Sequence, residues 1–216
     1  MSEQQLAAIL EMSAQNPIPA NATPAVVRAW VEDVAGRLRV AENVQIERVN
    51  CGPCDGDLIL PAGGDASRLI IFYHGGGFFF GSSRTHRVIA SNLARAAGSA
   101  VLVPDYRLAP ENPAPAAHDD AFAVYQWALK QGYASGKVAL SGDSVGGNLA
   151  LATAVRAKEA GLPQPGALTL ASPWLDLARE GASHQRERPM TRSFALNFRI
   201  SLRSPTLAMG IASRPR

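Results

Sequence analysis

The sequence predicts an α/β protein built on a mostly parallel sheet, preceded by an N-terminal helical segment. Three observations carry that expectation. From Arg68 onward, short apolar runs alternate with longer stretches of helical spacing, the order that right-handed crossovers turn into a parallel sheet. The runs, such as Arg68-Leu-Ile-Ile-Phe-Tyr73 and Ser99-Ala-Val-Leu-Val-Pro104, are almost continuously apolar, as strands buried on both faces are. Two of them lead straight into glycine clusters, His74-Gly-Gly-Gly77 and Gly142-Asp-Ser-Val-Gly-Gly147, and such sheets collect their chemistry at the carboxyl ends of strands.

Taken in order, residues 1–43 read as helical, interrupted by Pro17 and Pro19: Leu6, Ile9 and Leu10 share one face, and Val26, Val27, Trp30, Val31 and Val34 recur at helical spacing after Pro24. Val44 to Val49 alternates apolar and polar like a half-exposed strand, with Asp57 to Leu60 as its hairpin partner. Strand Arg68 to Tyr73 follows, then a helix over Thr85 to Ala97, strand Ser99 to Pro104, and a helix over Asp119 to Lys130 carrying Phe122, Tyr125, Trp127 and Leu129. The next strand delivers Ser144, the helix through Val155 and Lys158 ends before Gly161 and Pro163, and Ala167 to Ala171 is the last strand expected. There is no internal repeat. At 216 residues and 47% hydrophobic content the chain suffices for one good-sized core, so residues 44–178 are expected to form a single domain core.

The net charge of +3 is unevenly placed. Residues 179–216 hold eight arginines against Glu180 and Glu187, so this atypical basic tail carries +6 and residues 1–178 carry −3. No aromatic interleaving or binding module accompanies the arginines, so no nucleic-acid partner is expected. The N-terminus lacks the basic region and long apolar stretch of a secretory leader, and no run is long enough to span a bilayer, which points to a cytoplasmic protein without a membrane span. Cys51-Gly-Pro-Cys54 has the spacing of a thioredoxin-type dithiol, but such a dithiol needs its first sulfur at a helix N-terminus, and here a turn and a strand follow. Structural zinc needs four ligands, and His74, His86, His118 and His184 form no spaced pair to complete the two cysteines. A plain turn is the expectation, with no metal.

Gly142-Asp143-Ser144-Val145-Gly146 has the G-x-S-x-G spacing of a nucleophile elbow, in the strand-to-helix setting that motif requires. A serine on a strained turn clashes with its neighbours unless they are small, which makes Ser144 the candidate nucleophile. Attack on an ester puts negative charge on the carbonyl oxygen, and losing one donor to that oxyanion costs on the order of a hundredfold to a thousandfold in rate. Three consecutive glycines, Gly75, Gly76 and Gly77, expose backbone N–H groups for this purpose, and the Val145 N–H follows directly on the nucleophile. A phosphate cradle would need G-x-x-x-x-G-K-[ST] or G-x-G-x-x-G, and neither is present.

Tyr73-His-Gly-Gly-Gly-Phe-Phe-Phe-Gly81, Pro104-Asp-Tyr-Arg-Leu-Ala-Pro-Glu111, Gly142-Asp-Ser-Val-Gly-Gly-Asn-Leu-Ala150 and Ser172-Pro-Trp-Leu-Asp-Leu177 stand in series. In order and spacing, from about Val44 to Thr191, the chain resembles the hormone-sensitive-lipase family of α/β-hydrolase esterases. The resemblance implies an α/β-hydrolase sheet and hydrolysis of small acyl esters without cofactor or metal. It gives residues 1–43 the role of a cap over the acyl pocket. By position in the family motif, Gly76, Gly77 and Val145 supply the oxyanion donors with Gly75 in the same loop, and His74 is a scaffold residue. Asp143 faces the wrong way to be the triad acid, and His86 and His118 fit helix or loop surfaces.

The chain departs from the family after Thr191. A triad of this fold runs Ser, then Asp or Glu, then His in chain order, on loops after later strands. No aspartate follows Asp176 and no histidine follows His184, leaving only Asp176, Glu180 and Glu187 with His184. Asp176 sits in the Ser-Pro-Trp-x-Asp-Leu motif, which is not the acid site, and Glu180 and His184 lie too close in sequence to end two different strands. The expectation is a sheet truncated after its sixth strand, from a C-terminally shortened or frame-shifted gene product, with impaired hydrolysis and an exposed sheet edge open to self-association. Family members that lost the catalytic histidine act as small-molecule receptors, so a non-catalytic binding protein is the alternative.

Overall fold

The computed structural model describes residues 22–178, together with Glu3, Gln4, Ala7, Glu11 and Gln15, which are helical. The N-terminal helix α1 (Pro24–Gly36) starts where the sequence provides for it: Thr23 accepts the Val26 N–H, and Pro24 occupies the first turn. Strands β1 (Val44–Asn50) and β2 (Asp55–Pro61) form the expected antiparallel hairpin, from Val44 opposite Pro61 to Asn50 opposite Asp55. Then follow β3 (Asp65–Tyr73), α2 (Arg87–Ala97), β4 (Ser99–Pro104), α3 (Ala116–Lys130), β5 (Val138–Asp143), α4 (Val145–Glu159) and β6 (Ala167–Ala171).

The six strands form one sheet in the order β1-β2-β4-β3-β5-β6. β2 joins β4 antiparallel, and β4, β3, β5 and β6 run parallel. All six residues of β4 are buried, and they divide between two cores as a strand covered on both faces requires. Ala100 and Leu102 join Leu69, Ile71, Tyr73, Val124, Tyr125, Leu140 and Leu149 beneath α3 and α4. Val101 and Val103 join Ile59, Phe72, Ala90 and Ala94 beneath α2. Among the described residues β6 has a partner on one side only, and Leu168 there is 38% exposed.

Two helix starts differ from the sequence expectation. α2 begins at Arg87 instead of Thr85, because the Ser82 and Thr85 side chains bond each other's backbone and hold residues 82–86 in a turn. α3 begins three residues earlier than expected, directly after Pro115, whose ring is suited to a helix start.

Candidate active site

Ser144 sits between the end of β5 and the start of α4 with φ 53° and ψ −119°. A residue with a Cβ pays about 1–3 kcal/mol for such a conformation, so the surroundings must fix it. They do so on both sides of the peptide: the Ser144 N–H donates to Ala171 O at 3.0 Å, and Ser144 O accepts the Trp174 N–H at 2.9 Å. The Asn148 side-chain amide donates to Trp174 O at 3.1 Å, tying the loop after β6 to the first turn of α4. The Ser172-Pro-Trp-Leu-Asp-Leu177 motif thus clamps the Ser144 backbone.

The flanking glycines answer to close approach. A Cβ on Gly146 would lie 1.9 Å from Tyr73 O, and one on Gly142 would lie 2.4 Å from the Gly146 carbonyl carbon. That contact seats the start of α4 on the end of β3, where Tyr73 pairs with Gly142, and so brings the loop after β3 beside Ser144. In that loop Gly76 has φ 123°, and a Cβ there would fall 2.0 Å from Phe80 O. The Phe79 and Phe80 N–H groups both donate to Gly76 O, which curls the loop.

The three glycine amides have different fates. The Gly75 N–H is donated to Asp143 Oδ1 at 2.8 Å, so it secures the loop and is not open to a substrate oxygen. The N–H groups of Gly76 and Gly77, and that of Val145 at the start of α4, meet no acceptor among the described residues. A helix start leaves its first N–H groups unpaired and carries partial positive charge, which favours an anion there.

His74 is fully buried, as a scaffold residue would be. Its ring stacks on Tyr106 at 4.2 Å, its Nδ1 donates to Gly75 O at 2.8 Å, and Tyr106 Oη donates to His74 O at 2.6 Å. Burial, aided by the neighbouring His86, lowers the His74 pKa to about 3, so the ring is neutral. The Pro104 to Glu111 motif thereby underpins the glycine loop, and it is itself fixed to α3 by paired hydrogen bonds from Arg107 to the buried carboxylate of Asp120.

Asp143 points at the glycine loop and at His86, with Oδ1 3.5 Å from His86 Nε2. Burial raises the Asp143 pKa, but His86 and the Gly75 N–H outweigh it and hold the carboxyl below its ordinary value. His86 and His118 correct the expectation of surface histidines. His86 is only partly exposed and packs against His74 and Phe72. His118, also half-buried, lies against Phe78 with Nε2 2.9 Å from Asn148 Oδ1. Each takes its place through contacts with residues well separated in sequence, which no local pattern announces.

Sequence reasoning also missed Arg28. From α1 it donates Nε to Phe79 O at 2.7 Å and Nη2 to Ala109 O at 2.8 Å, and its guanidinium pairs with Glu111. Ser82 donates to Glu32, also on α1. No hydrogen bond to Ser144 Oγ occurs among the described residues, nor does any group of His, Cys, Asp and Glu suited to a metal ion. Glu180, His184 and Glu187 lie outside the described residues.

A sequence profile described as alpha/beta hydrolase fold matches residues 70–205. An acetyl-hydrolase of Streptomyces hygroscopicus is 46% identical over 136 residues, 63% of this chain and 45% of that protein. An esterase of Acinetobacter venetianus is 38% identical over 169 residues, 78% of this chain and 55% of its own length. The chain therefore spans about half the length of the curated relatives it matches. The crystal structure of an esterase from the bacterial hormone-sensitive lipase family superposes with a TM-score of 0.79 at 37% identity, covering 85% of this chain and 62% of the other. With the four motifs converging on one serine and the sheet order that positions them, these likenesses place the chain in the hormone-sensitive-lipase family of α/β-hydrolase esterases.

Proposed function

We propose that this chain carries the nucleophile and oxyanion hole of a carboxylic ester hydrolase for small acyl esters, working without cofactor or metal. The observation that carries the reading is Ser144, held at φ 53° on a strand-to-helix turn beside a glycine loop whose Gly76 and Gly77 N–H groups have no acceptor among the described residues. Ser144 Oγ attacks the ester carbonyl, the Gly76, Gly77 and Val145 N–H groups receive the negative oxygen, and collapse expels the alcohol to leave an acyl-serine that water hydrolyses. Residues 1–43 act as the cap, a role supported by the anchorage of α1 to the 79–82 loop through Arg28 and Glu32.

Hydrolysis by this chain alone is weak. A serine is a poor nucleophile until a base takes its proton, and no base is hydrogen-bonded to Ser144 Oγ among the described residues. In a serine protease, loss of the triad serine or histidine costs about a millionfold, with residual rate from the oxyanion hole and binding. The lack of a base hydrogen-bonded to Ser144 Oγ among the described residues also supports the second reading, a small-molecule-binding protein on this scaffold.

Hydrolysis of a short p-nitrophenyl ester by the 216-residue chain and by Ser144→Ala tests the assignment. The expected result is a slow rate above background that the substitution removes. A rate untouched by Ser144→Ala would refute Ser144 as nucleophile, and saturable ester binding with no Ser144-dependent rate would favour the second reading.

A further inference from the structure

The Cys51-Gly52-Pro53-Cys54 turn closes the β1–β2 hairpin and takes no part in the proposed acyl transfer. The last ladder pair is Asn50 with Asp55, so Cys51 and Cys54 are the next facing residues, joined by the Cys51 N–H donating to Cys54 O at 2.9 Å. Gly52 reverses the chain with φ 101°, its N–H donates to Asn50 Oδ1 at 3.3 Å, and the turn rests on Trp127. Facing residues of a hydrogen-bonded pair have Cα atoms about 5.5 Å apart and side chains on one face, a separation most disulfides share. The two sulfurs are already 3.8 Å apart, and both cysteines are free thiols.

Their accessibility differs. Cys51 is fully buried in the core that includes Tyr73, Tyr106 and Ala121, whereas Cys54 is partly exposed. Neither cysteine stands in the first turn of a helix among the described residues, which separates the pair from a thioredoxin-type catalyst. The turn expected from the sequence is what brings the thiols together.

We propose that Cys51 and Cys54 are a reversible disulfide site, oxidised by small-molecule disulfides of the glutathione type. Cys54 gives its proton to solvent, its thiolate attacks one sulfur of the oxidant, and the other sulfur leaves as a thiolate. Cys51 then loses its proton and attacks Cys54 Sγ, expelling the second thiolate. The pair gives up two electrons and two protons, and the oxidant's S–S bond is reduced to two thiols. The neighbouring Cys51 side chain and burial raise the Cys54 pKa, so the first step is slow at neutral pH and quickens as the pH rises.

The test is independent of ester turnover. The reduced full chain is held in oxidised glutathione, trapped with iodoacetamide, and read by intact and peptide mass spectrometry. The expected product has lost two hydrogens, resists alkylation at both positions, and shows a linkage between Cys51 and Cys54 that dithiothreitol reverses. Cys51→Ser should stop at one glutathionyl adduct on Cys54, and Cys54→Ser should stay unmodified while folded. If the folded chain keeps both thiols, or stops at a mixed disulfide, under conditions in which the urea-unfolded chain forms the link, the proposal is overturned. Modification of Cys51 in folded Cys54→Ser at the rate seen for Cys54 would overturn the order of attack.

Discussion

His74 is fully buried between Tyr106 and His86, with burial taking its pKa from an ordinary 6.5 to about 3. A histidine that must stay neutral when folded favours unfolding as the pH falls below 6.5, because only the unfolded chain then takes up the proton. Stability present above that pH is lost progressively down to the folded value of about 3, and Asp143, held below its ordinary value, adds to the loss at the acid end of the window. Between about pH 7.5 and about pH 5 the His74 contribution amounts to a loss on the order of 2 kcal/mol. Urea midpoints across that range should fall with pH for the unaltered chain and fall less for His74→Gln. Equal slopes would mean that His74 is not held neutral. The sequence disclosed Ser144 because the elbow's steric demand is local, but it did not disclose the fate of Gly75. Whether that N–H faces a substrate or Asp143 depends on a hydrogen bond spanning 68 positions.

α1 is held to the glycine loop chiefly through one side chain. Arg28 reaches Phe79 O, Ala109 O and Glu111, so it joins the segment expected to be a cap with the glycine loop and with the 105–111 loop bonded to it. Hydrogen bonds from a charged donor to backbone acceptors are worth about 1.5–3 kcal/mol, while the half-exposed Glu111 contact adds less. Arg28→Ala should therefore cost about 1–3 kcal/mol and expose the chain before Val44 to limited proteolysis, with the β-strand core left intact. Unchanged cleavage would show that α1 is fixed by its apolar face instead. The helices and strands themselves were readable from apolar periodicity, and β4 illustrates why: a strand buried on both faces leaves no room for polar residues. The latch was not readable, since an arginine on a helix carries no mark of a partner 51 or 83 positions away. The two cysteines lie between these cases, since their spacing announced a turn but only the hairpin register put the sulfurs in contact.

At the scale of the whole molecule, the six strands among the described residues form a sheet that holds Ser144, the proposed nucleophile, and the glycine loop at the carboxyl ends of β5 and β3. On its far side, β6 is unpaired along one edge among the described residues, and we expect that edge to pair with a second copy. Sedimentation velocity should show concentration-dependent association that Leu168→Lys reduces, whereas a monomer at all concentrations would contradict this. At this scale the chemistry comes down to whether an unactivated serine occupies a formed oxyanion site. A fluorophosphonate probe measures it directly, because the reagent places a negative oxygen where the ester's would lie and bonds covalently to the attacking atom. The account predicts slow phosphonylation of the full chain, located on Ser144 and roughly a millionfold below an intact triad, the scale of loss when a triad member is missing. Labelling of another residue, or labelling of Ser144 at the speed of a complete triad, would contradict it.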